Sequence, residues 1–318
     1  MKVILSIDGG GTRGLIQAMI LHKIEITLRE VLNDKTAHLI DYVDIVSGTS
    51  TGGIEAIILT VPLGNEYRYD TANLVNFYNT HCKVIFNDSK RLIGGLTYKY
   101  SAKKLESLLQ KYIGDIEMNK LKSHVIVPAL DLKTNKAIFF SNTKYDKTKT
   151  TFLAKDVARM TSAAFTYFKE KVVVNDGVEI VATDGGMSAN NPSICAIAKL
   201  QKYDNTSLRD ICVINIGSGA IKPDLGNCKK WWLGKVATKL PLILLYQGIS
   251  ITQYQLKNLN LGKLFLFDVP ENIRDYSEDM ADASNINMMK MRNAAWKTIA
   301  KESTQIKELV NFLIENKK

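Results

Sequence analysis

The residue of this sequence that is best suited to act as a nucleophile is Ser50, in the segment Gly-Thr-Ser-Thr-Gly at residues 48–52. The apolar run at 43–46 before it predicts a strand, and residues 54–59 after it can form a helix. A G-x-S-x-G segment between a strand and a helix is typical of a nucleophile elbow, which exposes the serine hydroxyl at the helix N-terminus. That helix end favours the negative charge that develops as the serine is acylated. Turns without chemistry share the pattern, so the interpretation depends on partner residues.

A serine hydroxyl needs a base, and the best candidate is Asp184. The chain has four histidines, His22, His38, His81 and His124. All of them precede Asp184, whereas the α/β-hydrolase order of serine, acid and histidine requires a late histidine. A carboxylate can remove the proton directly if it contacts the hydroxyl and is partly shielded from water. Asp184 ends a predicted strand before Gly185 and Gly186, and the alternative role is that of an aspartate capping the next helix.

A second glycine-rich segment, Asp-Gly-Gly-Gly-Thr-Arg-Gly at residues 8–14, follows the predicted strand 3–7 and has three interpretations. It satisfies the dinucleotide fingerprint G-x-G-x-x-G, but the next predicted strand lacks the terminal acidic residue that binds the ribose. It also resembles the first phosphate loop of sugar kinases and actin-like ATPases, with 184–186 and 216–219 as later loops. That superfamily has a β-hairpin where a helix is predicted here. Third, successive glycine amides at a helix N-terminus form an anion-binding nest suited to the oxyanion of acyl transfer.

The elements that would position these groups begin with a β-α-β unit. Its strands at 3–7 and 43–46 and the helical spacing of apolar residues at 15–32 predict a parallel sheet with crossover helices. Further predictions are paired strands at 125–132 and 136–141, a helix near 155–164, a hairpin of 172–174 with 178–183, a helix start at 190–192, and strands at 211–216 and 263–268. Residues 63–101 are predicted to be a long connection with one helix at 71–82. The chain beyond 226 is predicted to be mostly helical and to end in a helix whose apolar stripe packs on the core.

Composition is that of a globular protein, with 46% hydrophobic and 23% charged residues among 318. The formal net charge is +10, and basic residues cluster with aromatic ones at 83–104, which suits an interfacial lid over an anionic membrane or a loop folded onto the core. No nucleic-acid-binding motif accompanies the charge. Four scattered cysteines argue against a zinc site or a disulfide framework and fit a reducing compartment.

Neither a signal peptide nor a membrane span is expected from the sequence. Asp8 and three glycines interrupt the N-terminal apolar run, and the longest apolar stretch, 240–245, is far shorter than the roughly 20 residues of a span. The localisation expected is cytoplasmic, with peripheral membrane association when active.

Taken together, the three motifs resemble the patatin-like phospholipase family. The resemblance rests on residues 8–14, 48–52 and 184–186, in this order and each beside a predicted strand, and it is supported by 161–168 and 189–192. It covers about residues 3–220. It implies a three-layer α/β/α fold with a mostly parallel central sheet, followed by a helical C-terminal extension. It also implies a Ser-Asp dyad lipid acyl hydrolase that needs no metal or cofactor.

Carried over to this sequence, the resemblance makes Ser50 the nucleophile and Asp184 the base. The residues of the oxyanion loop and the glycines of the other two motifs are then Gly9, Gly10, Gly11, Arg13, Gly48, Gly52, Gly185 and Gly186. The sequence departs from the family at Phe165 and Lys169, where proline is common.

The expected function is therefore hydrolysis of phospholipid acyl esters, of phospholipase A or lysophospholipase type, through an acyl-Ser50 intermediate. The expected domain organisation is a catalytic core at 1–220, with 221–318 packed on the same domain. The expected partners are the phospholipid substrate and an anionic membrane surface, without nucleic acid. Two alternatives stay open at this point, a phosphotransferase of sugar-kinase type and a catalytically silent lipid-binding module.

Overall fold

The computed structural model describes residues 1–87, 98–142, 152–226 and 233–317, with the backbone alone at 233–238. Its strands are β1 (Lys2–Ile7), β2 (Ile45–Gly48), β3 (Pro62–Leu63), β4 (Glu66–Tyr67), β5 (His124–Asp131), β6 (Lys136–Ser141), β7 (Lys171–Asn175), β8 (Val178–Asp184), β9 (Ile211–Ile216) and β10 (Lys263–Phe267). Its helices are α1 (Gly14–Leu32), α2 (Thr51–Ile58), α3 (Thr71–Ile85), α4 (Lys103–Tyr112), α5 (Ala154–Thr161), α6 (Gly186–Ala189), α7 (Ser193–Asp204), α8 (Leu233–Asn258), α9 (Asn285–Lys301) and α10 (Ser303–Lys317).

The central sheet is mostly parallel. Strands β10, β9, β1, β2 and β5 lie side by side in that order, and each of these pairings is parallel. Strands β6 and β8 both pair antiparallel with β5, and β7 pairs antiparallel with β8. This mixed sheet between helical layers confirms the predicted fold class, including the C-terminal helices.

Strand β1 shows why the sheet is covered on both faces. Its side chains alternate, because successive residues of a strand point to opposite faces. Val3, Leu5 and Ile7 belong to the larger apolar core, which includes buried residues of α1, α2, α3, α9 and α10. Ile4 belongs to a smaller core with residues of α7 and α8. A strand that is buried on both faces has a nearly continuous apolar sequence, and residues 3–7 have such a sequence.

Strands β2 and β8 occupy the same side of β5, one beyond the end of the other. Ile126 of β5 pairs with β2 and with β6, so these two strands lie on opposite sides of it. Residues 129–131 pair with β6 and with β8, so β8 is opposite β6 and therefore on the side of β2. Because β8 runs antiparallel to β2, the carboxyl ends of both strands approach the same gap beside Pro128.

The segment at 63–101 differs from its prediction as a connection with a single helix. A short antiparallel hairpin of β3 and β4 precedes α3, with Leu63 opposite Glu66. Of the basic and aromatic segment at 83–104, residues 88–97 lie outside the described part of the chain, as does Cys228. The described portion is folded onto the core, where the ring of Phe86 lies 5.2 Å from that of Tyr100.

The C-terminal part of the chain joins the same sheet and the same core. Strand β10 pairs with β9, and α8 packs against α6 and α7. The predicted terminal stripe is confirmed, since four of its side chains are buried, Ile306, Leu309, Val310 and Leu313. A break at Glu302 separates this last helix, α10, from α9. Within the described ranges, no helix has both the length and the apolar character needed to cross a bilayer.

Replacement of Leu309 by alanine should destabilise the whole protein. Leu309 is fully buried in the core that also contains α1 and β1, and a buried leucine shortened to alanine typically costs about 2–5 kcal/mol. Chemical unfolding should show one shifted transition by both fluorescence and circular dichroism. The matched control is Glu308→Ala, on the exposed face, which should change stability by less than about 0.5 kcal/mol. A separate early transition in Leu309→Ala, with the remainder unshifted, would show that the C-terminal helices unfold alone.

Candidate active site

Ser50 occupies a strained turn between β2 and α2. Its backbone has φ 55° and ψ −120°, which L-residues rarely adopt. The flanking glycines make the turn possible. A Cβ atom on Gly48 would lie 2.1 Å from the carbonyl oxygen of Gly52, and one on Gly52 would lie 2.3 Å from that of Ile7. The turn therefore has the strand, elbow and helix arrangement that the G-x-S-x-G pattern indicates.

The side chains of Ser50 and Asp184, which are 134 positions apart in the sequence, are in direct contact. Ser50 Oγ donates a hydrogen bond of 2.7 Å to Asp184 Oδ2. The second carboxylate oxygen, Oδ1, accepts a bond of 2.7 Å from the amide of Gly186. Asp184 is the last residue of β8, so the end-to-end arrangement of β2 and β8 produces this contact.

Burial sets the basicity of the Asp184 carboxylate. Only 6% of the residue is exposed. Desolvation raises the pKa of Asp184 to about 6, against the hydrogen bonds from Ser50 and Gly186 and the charge of Arg159, which lower it. A carboxylate with this pKa is ionised at neutral pH and is still a stronger base than an exposed aspartate.

Thr161 holds the gap between the two strand ends, a role that the sequence analysis missed. The amide of Ser50 donates to Thr161 Oγ1 at 3.0 Å, and the same hydroxyl donates to the carbonyl of Pro128 at 2.6 Å. The amide of Gly185 donates to the carbonyl of Thr161 at 3.2 Å. One residue thus fixes the backbone on both sides of the Ser50–Asp184 contact. Thr161 begins the segment 161–168 that supports the family resemblance, but no local pattern gives this role, since its partners are distant in sequence.

The glycine loop at 9–11 lies against Ser50. A Cβ atom on Gly9 would lie 3.4 Å from that of Ser50 and 2.2 Å from Oδ1 of Asn190, so a larger residue does not fit there. The amide of Gly9 donates to the carbonyl of Asn190 at 2.9 Å. The loop is thus placed by α6 and the turn that follows it, and the amide of Gly9 is already engaged.

The amides of Gly10 and Gly11 differ from that of Gly9. Within the described ranges, neither has a hydrogen-bond acceptor. The amide of Arg13, the next predicted member of this loop, donates to the carbonyl of Gly10 at 3.2 Å. Gly11 has φ +60°, and a Cβ atom there would lie 2.4 Å from the carbonyl oxygen of Met280. Two adjacent amides are therefore free to bind an anion beside Ser50.

Arg13 places a buried positive charge behind the loop. Its side chain is 6% exposed, and its Nε has no hydrogen-bond partner in the part of the chain that the structure describes. Burial lowers the pKa of the Arg13 guanidinium, whereas Tyr276, Tyr167 and Asp268 favour its charged form. The residue lies against the loop, since a Cβ atom on Gly10 would be 3.5 Å from that of Arg13, so its positive charge is next to the loop.

An apolar cavity of about 450 Å³ opens at Ser50 and Asp184. Its lining comes from α2, α3, α4, α6, α8 and the segment 162–168. The large apolar side chains in the lining are Ile54, Phe77, Tyr78, Cys82, Ile85, Phe86, Leu105, Phe165, Tyr167, Phe168, Met187, Leu242, Leu245 and Met280. Such a surface binds a hydrocarbon chain, because apolar groups gain free energy on leaving water.

The histidines make their contacts elsewhere. Nδ1 of His22 lies 3.2 Å from the hydroxyl of Thr71, and Nε2 of His81 lies 2.9 Å from that of Tyr112. His38 packs against a tyrosine ring, and His124 is exposed at the start of β5. Among the described residues, no group of three or more histidine, cysteine, aspartate or glutamate side chains is placed to hold a metal ion.

Fold and site together define an α/β protein in which a serine elbow and a strand-end carboxylate meet beside an apolar cavity. The chain belongs to the patatin-like phospholipase family, since the sequence model described as "Patatin-like phospholipase" matches residues 5–195. Members of this family are lipid acyl hydrolases. The predicted resemblance is thereby confirmed.

Two curated relatives and one solved structure are similar to this chain. Patatin-like protein 2 of Oryza sativa subsp. indica is 33% identical over 83% of this chain and 73% of its own length. Patatin-like protein 3 of Arabidopsis thaliana is 33% identical over 70% of this chain and 60% of its own length. Among solved structures, VipD from Legionella pneumophila aligns with 93% of this chain and 67% of its own, with a TM-score of 0.40 and 13% identity.

Removal of the Thr161 hydroxyl should impair catalysis more than it impairs folding. In Thr161→Val, the amide of Ser50 loses its acceptor, and an unsatisfied buried group costs about 1–3 kcal/mol. We expect kcat for ester hydrolysis to fall by about tenfold to a hundredfold. Thr161→Ser keeps the hydroxyl and should stay within about threefold of wild type. A wild-type rate in Thr161→Val would show that this bond does not position Ser50.

Proposed function

We propose that this chain is a serine acyl hydrolase that cleaves fatty-acyl esters of phospholipids, in the manner of a phospholipase A or a lysophospholipase. The observation that carries the proposal is the 2.7 Å hydrogen bond from Ser50 Oγ to Asp184 Oδ2 beside an apolar cavity. Family membership supports the lipid ester as the class of substrate. The cavity supports a long acyl chain as the part of the substrate that is recognised.

In the proposed first half-reaction, Asp184 removes the proton from Ser50 Oγ as this oxygen attacks the ester carbonyl carbon. The carbonyl oxygen becomes an oxyanion. When the tetrahedral intermediate collapses, the bond to the leaving alcohol breaks and Asp184 gives that alcohol its proton. The products are the released alcohol, such as a lysophospholipid, and an ester of the fatty acid with Ser50.

In the second half-reaction, a water molecule takes the place of the leaving alcohol. Asp184 accepts a proton from the water as its oxygen attacks the acyl-Ser50 carbonyl. The second tetrahedral intermediate collapses with return of the proton to Ser50 Oγ, and the fatty acid leaves. We propose that both halves proceed without a metal ion, since Asp184 supplies the base.

The oxyanion hole is assigned to the amides of Gly10 and Gly11. Their lack of an acceptor among the described residues supports this assignment, as does the position of the loop against Ser50. The amide of Gly9 already donates to Asn190, so Gly9 shapes the loop and does not donate to the oxyanion. Arg13 contributes its buried charge. Removal of one oxyanion-hole donor typically costs about 10²–10³ in kcat.

The remaining predictions on organisation and location belong to the same proposal. Residues 221–318 are assigned to the same domain as 1–220, which is supported by β10 in the central sheet and by Leu242 in the cavity wall. Peripheral contact with an anionic membrane is proposed for access to substrate. Lys99 and Lys83 are not free for such contact, because Lys99 Nζ is 2.8 Å from Asp279 and Lys83 is bonded to Asn285.

Reaction with a fluorophosphonate probe tests the nucleophile. We expect the probe to label Ser50 and the variant Ser50→Ala to lose both labelling and ester hydrolysis, because in the described ranges no other hydroxyl is bonded to the proposed base. The melting temperature of Ser50→Ala should stay near that of wild type. A folded Ser50→Ala protein that still hydrolyses a chromogenic ester would exclude Ser50.

The pH dependence of the rate tests the base. Asp184 must be unprotonated to act, and the pKa of this carboxyl is about 6. We therefore expect kcat/KM to rise from acid toward neutral pH with a midpoint near 6 and then to level off. Asp184→Asn should cost about as much as Ser50→Ala, and the double variant little more, since the two residues act as a unit.

Histidine variants are the control for this assignment. His22→Gln and His81→Gln should keep the rate and the same midpoint, because their rings are bonded to Thr71 and Tyr112. Loss of activity in a folded histidine variant, together with retained activity in Asp184→Asn, would make a histidine the base.

A further inference from the structure

Helix α8 carries an exposed apolar stripe on its outer face. Leu240, Leu244, Ile251 and Tyr254 are 45%, 45%, 55% and 68% exposed. They are separated by four, seven and three positions, so at 3.6 residues per turn they lie on one face of the helix. The exposed Gln247 lies on the same face and separates the stripe into two apolar pairs. Single exposed apolar residues are common, but four on one face of a helix mark a surface for a non-aqueous partner.

The inner face of the same helix forms a wall of the candidate active site. Leu242 and Leu245 line the cavity that contains Ser50. Further along, Ile249 and Leu256 are buried against the body of the protein. Because a helix with its side chains is about 10 Å across, the outer stripe lies within about that distance of the cavity wall.

The charges on α8 are all positive. The helix contains three lysines and no aspartate or glutamate. Lys257 is exposed, and Lys239 lies 3.6 Å from Glu278. An apolar stripe on a helix whose charged side chains are all cationic matches the surface of a bilayer, where acyl chains lie beneath phosphate groups.

The rim of the cavity also carries exposed apolar side chains. Phe165 and Met187 line the same cavity and are 40% and 36% exposed. Met187 lies in α6, against which α8 packs. The rim is therefore apolar where a substrate with a hydrocarbon chain would enter.

We propose that the outer face of α8, formed by Leu240, Leu244, Ile251 and Tyr254, docks on a phospholipid bilayer and holds the cavity at its surface. The stripe enters the boundary between headgroups and acyl chains, and the exposed Lys257 faces the headgroups. An acyl chain then passes from the bilayer into the cavity without crossing bulk water. The purpose that we give to this docking, access of substrate to the cavity, rests on the proposed function. The docking itself does not.

A second copy of this chain would fit the stripe less well. A two-fold interface pairs the same patch on both partners. Two α8 helices facing each other would bring lysines together without any acidic residue on either helix. Complementary charge is available from an anionic lipid surface and not from this helix itself.

Binding to vesicles tests the proposal. The measurement is co-flotation with large vesicles of phosphatidylcholine and phosphatidylserine, with all proteins carrying Ser50→Ala so that the vesicles stay intact. The double substitution Leu244→Glu with Ile251→Glu should weaken binding by more than about tenfold, because it removes two apolar contacts and adds repulsive charge. Wild-type binding should largely persist in 1 M salt, where exposed charges are screened within about 3 Å.

The matched control is Val174→Glu, since Val174 is 65% exposed on β7, away from α8. It should bind vesicles like the parent protein. For activity assays, the α8 double variant is made in protein that keeps Ser50. It should hydrolyse a short-chain, monomeric ester at the wild-type rate and vesicle phospholipid at least about tenfold more slowly. Its melting temperature should match that of wild type.

Several outcomes would overturn the proposal. One is unchanged vesicle binding by the α8 double variant. Another is an equal loss on monomeric and vesicle substrate, which would assign the residues to the cavity. A wild-type dimer that the double substitution makes monomeric would assign the face to a second copy. Failure of the proposed function would appear differently, as Ser50→Ala protein that still hydrolyses the monomeric ester while α8-dependent binding is intact.

Discussion

The candidate site depends on two strands that end at the same gap along one side of β5. Strand β2 pairs with β5 up to Ser47 opposite Ile126, and β8 arrives from the opposite direction with Asp184 opposite Ala129. The strand-end geometry, rather than a shared loop, brings Ser50 Oγ within 2.7 Å of the carboxylate. A parallel β8 on this side would carry its last residue away from Ser50. The contact between Ser50 and Asp184 therefore depends on the antiparallel direction of β8.

The gap leaves backbone groups without strand partners, and the residues around it satisfy them. The carbonyl of Pro128 accepts a hydrogen bond from Thr161 Oγ1, so this side of the Pro128 backbone faces the gap. A residue other than proline would also direct an N–H group there, and an unpaired buried N–H costs free energy. Proline is otherwise disfavoured within a sheet because it removes a ladder bond. On the gap side of Pro128, opposite to β6, no strand among the described residues needs that bond.

Much of this could be predicted from the sequence because it is local. The elbow, the glycine loop and the strand before Asp184 are each defined within a few residues, and their order is what the family resemblance uses. The role of Thr161 could not be predicted, since its hydroxyl joins residues 50 and 128. The placement of β8 beyond the end of β2 is likewise a pairing between distant segments. The amide of Gly9 donates to Asn190, whereas those of Gly10 and Gly11 have no acceptor among the described residues, and this difference also depends on a distant segment.

The raised pKa of Asp184 depends on the burial of its carboxyl, and therefore on the residues around the cavity. Raising a carboxyl pKa from 3.8 to about 6 corresponds to roughly 3 kcal/mol of lost stabilisation of the charged form. That shift depends on the burial of the carboxyl, and apolar residues of α3 and α8 line the cavity beside it. A helix that is apolar on opposite faces is expected to be buried on both. Helix α8 is buried on the face that shields Asp184 and exposed on the other. The same apolar character that keeps the base desolvated thus leaves a surface whose natural complement is lipid.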